Sequence, residues 1–442
     1  MKMPKKPPEI DKLFSENASQ LSKIFTAVSN IVPQNRYIHW DQLIHLKPPD
    51  DLSHEKWWLA IKLQRQSLFK MLPLKDHRGK FSSYLITDPI PEKLHQIDLS
   101  AGGRVEMPDQ ITNPETKDRY HVSSLIEEAI TSSQLEGAST TRAVAKDMIR
   151  SGRKPRDRNE RMIFNNYLAM KKIGEFKTKR LSKELIFEMH RVVTQDTLDD
   201  PDAAGRFRRD DELICVADPI TGNIFHTPPP ASELDERMAV MCAFANGETP
   251  NDFIHPVVRS IILHFWLAYD HPLVDGNGRT ARTLFYWSML HHGYWLCEFI
   301  SISHILLKAP TKYSRAFLFA ETDDNDLTYF ILYHLNLIDQ AVHALHEYIA
   351  QKTKHLKQLE LELKNLVILN YRQRALLAHA LRHPNQQYTI HGHQASHNVV
   401  YETARADLID LQKKLILEAR KIGKRWYFTP TDNFEQKLIN LG

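Results

Sequence analysis

Apolar residues recur at helical spacing over most of the chain. The densest stretch is Pro256 to Tyr269. There Val257, Val258, Ile261, Ile262, Leu263, Phe265, Trp266 and Leu267 cover most faces, the pattern of a buried central helix. A second helix is predicted from Arg279 through Leu284, Phe285, Trp287 and Leu290, stopping at His292-Gly293. Helical spacing also covers about Glu9 to Val32 and, nearly without interruption, Asp326 to about Leu369. The charged Lys352-to-Lys364 portion of the latter reads as a connecting rod. One segment breaks the pattern. Glu212 to Val216 and Ile224 to Thr227 are short β-prone runs around Asp218-Pro219-Ile220-Thr221-Gly222-Asn223, followed by Pro228-Pro229-Pro230. They predict a hairpin in an otherwise helical domain, with an edge able to pair with an extended peptide.

Near the C-terminus, Tyr371 to Leu381 reads as a helix and Tyr388-Thr389-Ile390 as a short strand. Ser396 to Leu411 reads as a turn into an amphipathic helix. Leu415 to Glu418 and Trp426-Tyr427-Phe428 form a closing hairpin around the basic tip Arg420 to Arg425. This order resembles a winged helix-turn-helix, whose second helix enters a major groove while the wing lies on phosphates. Seven Lys/Arg against four Asp/Glu between Asn385 and Pro430 is only modestly basic. Double-stranded DNA and a protein surface therefore both stay open as partners.

The length of 442 residues admits two or three domains. A formal charge of +4 is too small to name a partner. Cys215, Cys242 and Cys297 are widely spaced and odd in number, which suits free thiols in a reducing compartment. No apolar run approaches the ~20 residues that cross a bilayer, so no membrane partner is expected. Met1 to Pro8 is basic and proline-rich without an apolar region behind it, a frayed tail and not a signal peptide. A bacterial cytoplasm is the expected compartment, with export lacking a cleavable signal left open. The aromatic stretch Tyr37 to Trp40 and Trp57-Trp58, broken by Pro48-Pro49, reads as a packed accessory region.

The loop between the two central helices, His271-Pro272-Leu273-Val274-Asp275-Gly276-Asn277-Gly278-Arg279-Thr280-Ala281-Arg282, gathers unusual chemistry. A histidine titrates near neutrality and can take a hydroxyl proton. Gly276 and Gly278 let backbone N–H groups close around an anion. Arg279 opens a helix whose N-terminus favours phosphate oxygens, and Arg282 shares its face. Asp275 offers a hard oxygen to Mg²⁺. The loop is no P-loop, since it lacks the Gly-Lys-Ser/Thr ending and joins helix to helix. Together these groups suit phosphoryl-type transfer.

The loop resembles the Fic family signature His-Pro-Phe-x-(Asp/Glu)-Gly-Asn-Gly-Arg-x-x-Arg, departing only at Leu273, where phenylalanine is usual. The resemblance implies that His271 deprotonates a Ser, Thr or Tyr hydroxyl of a target protein, that Asp275 holds Mg²⁺ and that Asn277 contacts the α-phosphate of ATP. It implies that the backbone of Gly276 and Gly278 lines the anion hole, and that Arg279 and Arg282 hold the β- and γ-phosphates. AMP would pass to the hydroxyl and pyrophosphate would leave. The kinase-like Doc branch carries lysine where this chain has Gly278. Upstream, Leu125 to Gly137 reads as a helix ended by glycine. Its Ser132, Glu136 and Gly137 resemble the family's inhibitory (Ser/Thr)-x-x-x-Glu-(Gly/Asn) motif, which implies that Glu136 pairs with Arg282 and displaces the γ-phosphate. In some members this glutamate positions a water that removes AMP. Gly205-Arg206-Phe207-Arg208 and the hairpin, similar to the family's target-registering flap, fall in the expected order.

The expected fold is mainly α: an accessory region over 1–115, a Fic core with a β-hairpin flap over 116–350, a helical connector over 351–370 and a winged helix over 371–442. The expected function is AMP transfer to protein hydroxyls under autoinhibition by Glu136. Open alternatives are a nucleotide-sensing DNA-binding regulator and transfer of another nucleotide. The identity of the target, the chain itself among the options, and a homodimer are left open by the sequence.

Overall fold

The computed structural model describes residues 2–28, 31–33, 36–49, 52–102, 114–217, 221–383, 386–422, 425–431 and 434–439, with 114–120 and 422 by backbone alone. It divides into two compact units, one of residues 1–106 and 121–342, the other of 107–120 and 343–442.

The first unit is helical, with two small hairpins. It begins with α1 (Ile10–Asn17) and α2 (Leu21–Ala27). These replace the single helix expected from Glu9 to Val32. A 3₁₀ turn over Ala18–Gln20 separates them, and the Asn17 side chain donates back to Leu13 O at 2.9 Å, the local bonding by which Asn and Ser compete with a continuing helix. Then follow α3 (Trp40–Leu43), α4 (His54–Gln66), the hairpin β1 (Lys70–Lys75) and β2 (Phe81–Tyr84), and α5 (Ile90–Ile97). The β1–β2 hairpin has no strict alternation in its sequence and was not legible there.

The helices around the loop are α6 (Pro114–Leu135), α7 (Arg142–Ser151), α8 (Arg158–Phe176), α9 (Lys183–Thr194), α10 (Leu234–Ala245), α11 (Pro256–Asp270) and α12 (Asn277–His291). Their starts are written in the sequence: Thr141, Asp157 and Ser182 each accept a backbone N–H from the first turn they precede. Between α9 and α10, β3 (Val216–Ala217) pairs antiparallel with β4 (Ile224–His226). The hairpin is where the sequence put it but shorter, and Asp218, Pro219 and Ile220 of its tip lie outside the described residues. α11 and α12 are buried along nearly their whole length and form the centre of the unit. α13 (Ile302–Lys308) and α14 (Pro310–Thr322) follow, and α15 (Thr328–Asn365) begins here and passes into the second unit at His343.

The accessory helices join this core through a buried ionic cluster. Lys62 on α4 donates to Asp323 at 2.8 Å, both side chains being almost fully buried. Tyr37 donates to Asp326 at 2.5 Å. Arg65 donates to the carbonyls of Ile31 and Ile38 and to the Tyr329 hydroxyl. Buried charge is tolerated where every group finds partners, as here.

The second unit holds α16 (Tyr371–Arg382), β5 (Tyr388–Thr389), α17 (Ile390–His397), α18 (Tyr401–Lys413), β6 (Leu417–Ile422), β7 (Arg425–Pro430) and α19 (Phe434–Ile439). Its sheet has the order β5-β7-β6, antiparallel throughout. Leu377, Ala404, Leu408, Leu411 and Phe428 lie in one apolar cluster with Leu359 and Leu363. Ile390, read as strand, instead starts α17, capped by Thr389, whose hydroxyl accepts from Gly392 N–H. The strand signal of Tyr-Thr-Ile is β-branched and continuous, and the cap after it decides the change of element. Gly423 and Lys424, at the expected basic tip, lie outside the described residues. Among the described residues no helix is long and apolar enough to cross a membrane.

Candidate active site

α11 ends on His271, which adopts a left-handed conformation (φ 44°, ψ 54°) while its N–H still closes the helix onto Leu267 O at 3.0 Å. A non-glycine residue is held there only when its surroundings over-determine it. Arg208 supplies that constraint. Its Nε–H donates to His271 O at 2.9 Å and its Nη2 to Pro229 O at 2.5 Å, while its backbone N–H donates to Pro272 O at 2.9 Å. One guanidinium thus ties the end of the hairpin segment to the turn after α11, using its fork of fixed donors.

The His271 ring bonds through Nδ1 to Ala268 O at 3.0 Å. A carbonyl only accepts, so Nδ1 carries the proton and Nε2 keeps a free lone pair. Burial lowers the His271 pKa below the ordinary histidine value, and His226 and Arg208 lower it further against opposition from Ala268 O and Glu136. The ring is therefore neutral at pH 7, the state of a general base.

The loop is braced from inside and from α9. Asn277, almost fully buried, accepts from Leu273 N–H at 3.0 Å and donates to Leu273 O at 2.8 Å. The resemblance gave Asn277 an α-phosphate contact; here both ends of its carboxamide hold the loop. Leu273 is fully buried, so an apolar side chain fills the place where phenylalanine is usual. His190 on α9 accepts from Gly205 N–H at Nδ1 and donates from Nε2 to Asp275 O, each at 2.9 Å. Burial pushes its pKa down to about 4. Gly276 sits at φ 80°, and a Cβ there would meet Thr194 Cγ2 at 2.7 Å. Glycine is required twice over, by backbone and by space.

Gly276 caps α12 with no side chain, leaving the helix's leading N–H groups to an anion. Arg279 is buried, donating to Val193 O at 2.9 Å and approaching Asp275 at 3.4 Å. Its burial lowers the guanidinium pKa. Asp275 itself is half exposed.

Arg282 donates from Nε to Ser132 Oγ (2.8 Å) and from Nη2 to Ser132 O (3.0 Å) and Glu136 Oε1 (2.7 Å). The end of α6 explains how Glu136 gets there. Ala138 N–H reaches Ser133 O and Gly137 N–H reaches Gln134 O, with Gly137 at φ 92°, a Schellman ending that puts Glu136 at the C-cap, just after Leu135. A carboxylate at a helix C-terminus is opposed by the dipole by about 0.3–1 kcal/mol, whereas a charge-assisted hydrogen bond contributes about 1.5–3 kcal/mol. Arg282 wins. Burial would raise the Glu136 pKa, yet Arg282, then Arg279 and His271, hold it below the usual carboxylate value. Gly278 makes room: a Cβ there would lie 2.2 Å from Glu136 Oε1.

His271, Gly278, Arg282, Glu136, Tyr313 and Phe317 share the wall of a cavity of about 730 Å³. Val216, Ala217 and Phe225 of the hairpin border the same space. His226, at the end of β4, holds Glu321 and Tyr269 O at 2.7 Å through its two nitrogens. Burial would lower the His226 pKa, but the Glu321 carboxylate raises it above the ordinary value. Of the residues singled out in the sequence, His271, Gly278, Arg282 and Glu136 line this cavity, whereas Asn277 and Arg279 lie buried in the loop's support and Ser132 holds Arg282 from α6. His190, Arg208's grip on the turn and the His226–Glu321 pair were not foreseen, because lone histidines on helices and strands carry no spacing signal.

A helical unit whose central helix pair encloses a histidine-bearing anion loop is the architecture of the Fic fold. Residues 180–289 match the Fic/DOC family. The matched stretch takes in α9, the β3–β4 hairpin, α10, α11, the loop and most of α12. It is similar to the protein adenylyltransferase Fic of Drosophila grimshawi, with 31% identity over 167 residues, 36% of this chain and 32% of that protein. The protein of the same name from Nematostella vectensis is 27% identical over 201 residues, 45% of this chain and 42% of that protein. The match thus spans less than half the length of these curated relatives. A Fic family protein from Desulfovibrio desulfuricans G20 superposes with a TM-score of 0.51 at 19% identity, covering 79% of this chain and 98% of that one. A variant fragment of Fic-1 from C. elegans gives 0.50 at 17% identity, covering 79% and 89%. These structures share the fold.

Proposed function

We propose that this chain transfers AMP from ATP to a Ser, Thr or Tyr hydroxyl of a protein, and that Glu136 restrains it. The observation that carries the reading is the His271 ring, which lines the cavity with its proton on Nδ1 and its Nε2 lone pair free. The target hydroxyl gives its proton to Nε2 and its oxygen forms a bond to the α-phosphorus. The bond from that phosphorus to the bridging oxygen breaks, and pyrophosphate leaves with the electron pair. Near-attack placement of this kind accounts for a large part of such rate enhancements. The curated relatives' names support the same chemistry.

Asp275 is the residue that would hold Mg²⁺. Among the described residues no cluster of three or more His, Cys, Asp or Glu could hold a metal. A single carboxylate suits an ion that completes its shell with phosphate oxygens and water. Bound there, Mg²⁺ supplies neutralisation of phosphate charge. Glu136 restrains transfer because Arg282 cannot serve a carboxylate and a γ-phosphate with the same Nη2. We read the same carboxylate, which shares the cavity wall with His271, as also able to orient a water for AMP removal.

The second unit we read as a winged helix. Supporting this are the short α17–α18 turn with Asn398 at φ 49° and the exposed Arg420, Lys421 and Arg425 on β6 and β7. Duplex binding that weakens steeply with salt is expected from it; salt-insensitive or absent binding would make it a protein-binding module.

The test incubates wild-type and Glu136→Gly proteins with each of the four nucleoside triphosphates and candidate targets, then identifies modified residues by mass spectrometry. Adenylylated hydroxyls are expected, more in the variant. A preference for another nucleotide would change the donor, and nucleotide binding without any transfer would favour a sensing regulator.

A further inference from the structure

Glu128 lies on α6 two turns before Glu136 and takes no part in the chemistry above, yet its side chain is among the most fully buried carboxylates of the unit, at 1% exposure. Four donors converge on it. Tyr286 of α12 donates its hydroxyl to Oε2 at 2.9 Å, Ser301 its hydroxyl to Oε2 at 2.8 Å and Ser303 its backbone N–H to Oε2 at 3.1 Å, while the Ser303 hydroxyl donates to Oε1. A carboxylate has about four acceptor sites, so this one is saturated. The Tyr286 hydroxyl in turn accepts from Ile302 N–H at 2.9 Å. At about 100° per residue, Glu128, Ser132 and Glu136 fall within one stripe of α6, facing α12.

We propose that Glu128 is the positioning residue of the brake: its saturated carboxylate fixes the rotation and height of α6 on α12, and thereby delivers Glu136 to Arg282. The physical reason is that the Glu136–Arg282 bond alone does not set the helix. Glu136 is the C-cap, one residue past the end of α6, its side chain 29% exposed, and it adjoins Gly137, where a Cβ would meet nothing within 4 Å. A helix end frays readily unless the helix behind it is held. Glu128 holds it with neutral hydroxyls and a backbone amide that can each return to water only together with the helix. Restraint of Arg282 then depends on two carboxylates on one stripe, one that touches the arginine and one that aims it.

This inference rests on the reading that Glu136 restrains transfer, and the experiment separates the two. AMP incorporation from ATP labelled at the α-phosphate is measured for wild type, Glu136→Gly, Glu128→Gln and the double variant, with circular-dichroism melts of each. Glu128→Gln keeps the shape but turns two acceptor sites into donors that face donors. The expected result is several-fold more incorporation by Glu128→Gln than by wild type, with the double variant matching Glu136→Gly. Tyr286→Phe, which removes one donor, should fall between wild type and Glu128→Gln. If Glu136→Gly is active and Glu128→Gln incorporates no more than wild type, the positioning role is wrong. If Glu128→Gln melts early and also cuts incorporation in the Glu136→Gly background, Glu128 is only structural and the proposal is overturned. If Glu136→Gly itself gains nothing, the brake reading fails and this inference with it.

Discussion

His271 combines a left-handed backbone with a neutral ring, and both follow from neighbours. Arg208 gathers the carbonyls of His271 and Pro229, and Ala268 O fixes the tautomer. The ring's pKa is held below the ordinary histidine value, so the proposed base is in its deprotonated form at neutral pH. Transfer by Glu136→Gly should be flat from pH 7 upward to the range where other groups titrate. It should fall on acidification through a pKa lower than 6.5, read from a pH–rate profile; an acid limb centred above 6.5 would contradict the burial effect. Arg208→Lys keeps the charge but cannot span several carbonyls. It is expected to lower kcat roughly 10–100-fold, the scale of a small misplacement of the base, with the nucleotide Kd changed little. At this scale the sequence singled out residues that the fold brings to one cavity, His271, Gly278, Arg282 and Glu136. It could not show that Asn277 braces Leu273 with one donor and one acceptor, since an amide that braces a loop and one that meets a phosphate look alike in a string.

Elements were legible where periodicity was long. α11 and α12 were readable from apolar runs and from the glycines between them, because a helix buried on all sides leaves little room for other patterns. Short elements were lost. α17 is built from His, Gln, Ser and Gly, whose weak helix preference is overridden by the Thr389 cap and by packing of Ile390 and His393. β1 and β2 pair through a bulged register that no alternation announces. Buried histidines are a common feature of these helices. His190 and His39 are lowered to about 4 and His334 to about 3, in each case chiefly by burial. Their folded pKa values lie below the unfolded one, so they contribute stability that is present above about pH 6.5 and is lost as pH falls through the folded values. Melting temperature should decline between about pH 6.5 and pH 4. His190→Gln, which lacks a titrating ring, should show a shallower decline even if it melts lower throughout.

For the molecule as a whole, the sequence divided accessory region from catalytic core, whereas the fold joins them in one unit through Lys62, Asp323, Tyr37, Asp326 and Arg65. Partners so far apart along the chain leave no local trace. Lys62→Ala strands the buried Asp323 carboxylate and should destabilise the protein by about 3–5 kcal/mol in urea unfolding, whereas replacing both residues by apolar ones of similar volume should cost much less. A small effect of Lys62→Ala would mean that the cluster is hydrated and weak. Above the level of stability, the proposed function joins one base, one anion loop and one restraint. The most direct measurement gives Glu136→Gly protein ATP labelled either at the α- or at the γ-phosphate, beside wild type and the Glu136→Gly/His271→Ala double variant. Protein label from the α-position alone, greater than in wild type and abolished without His271, is the predicted result. Label carried from the γ-position, or α-label no greater than in wild type, would contradict it.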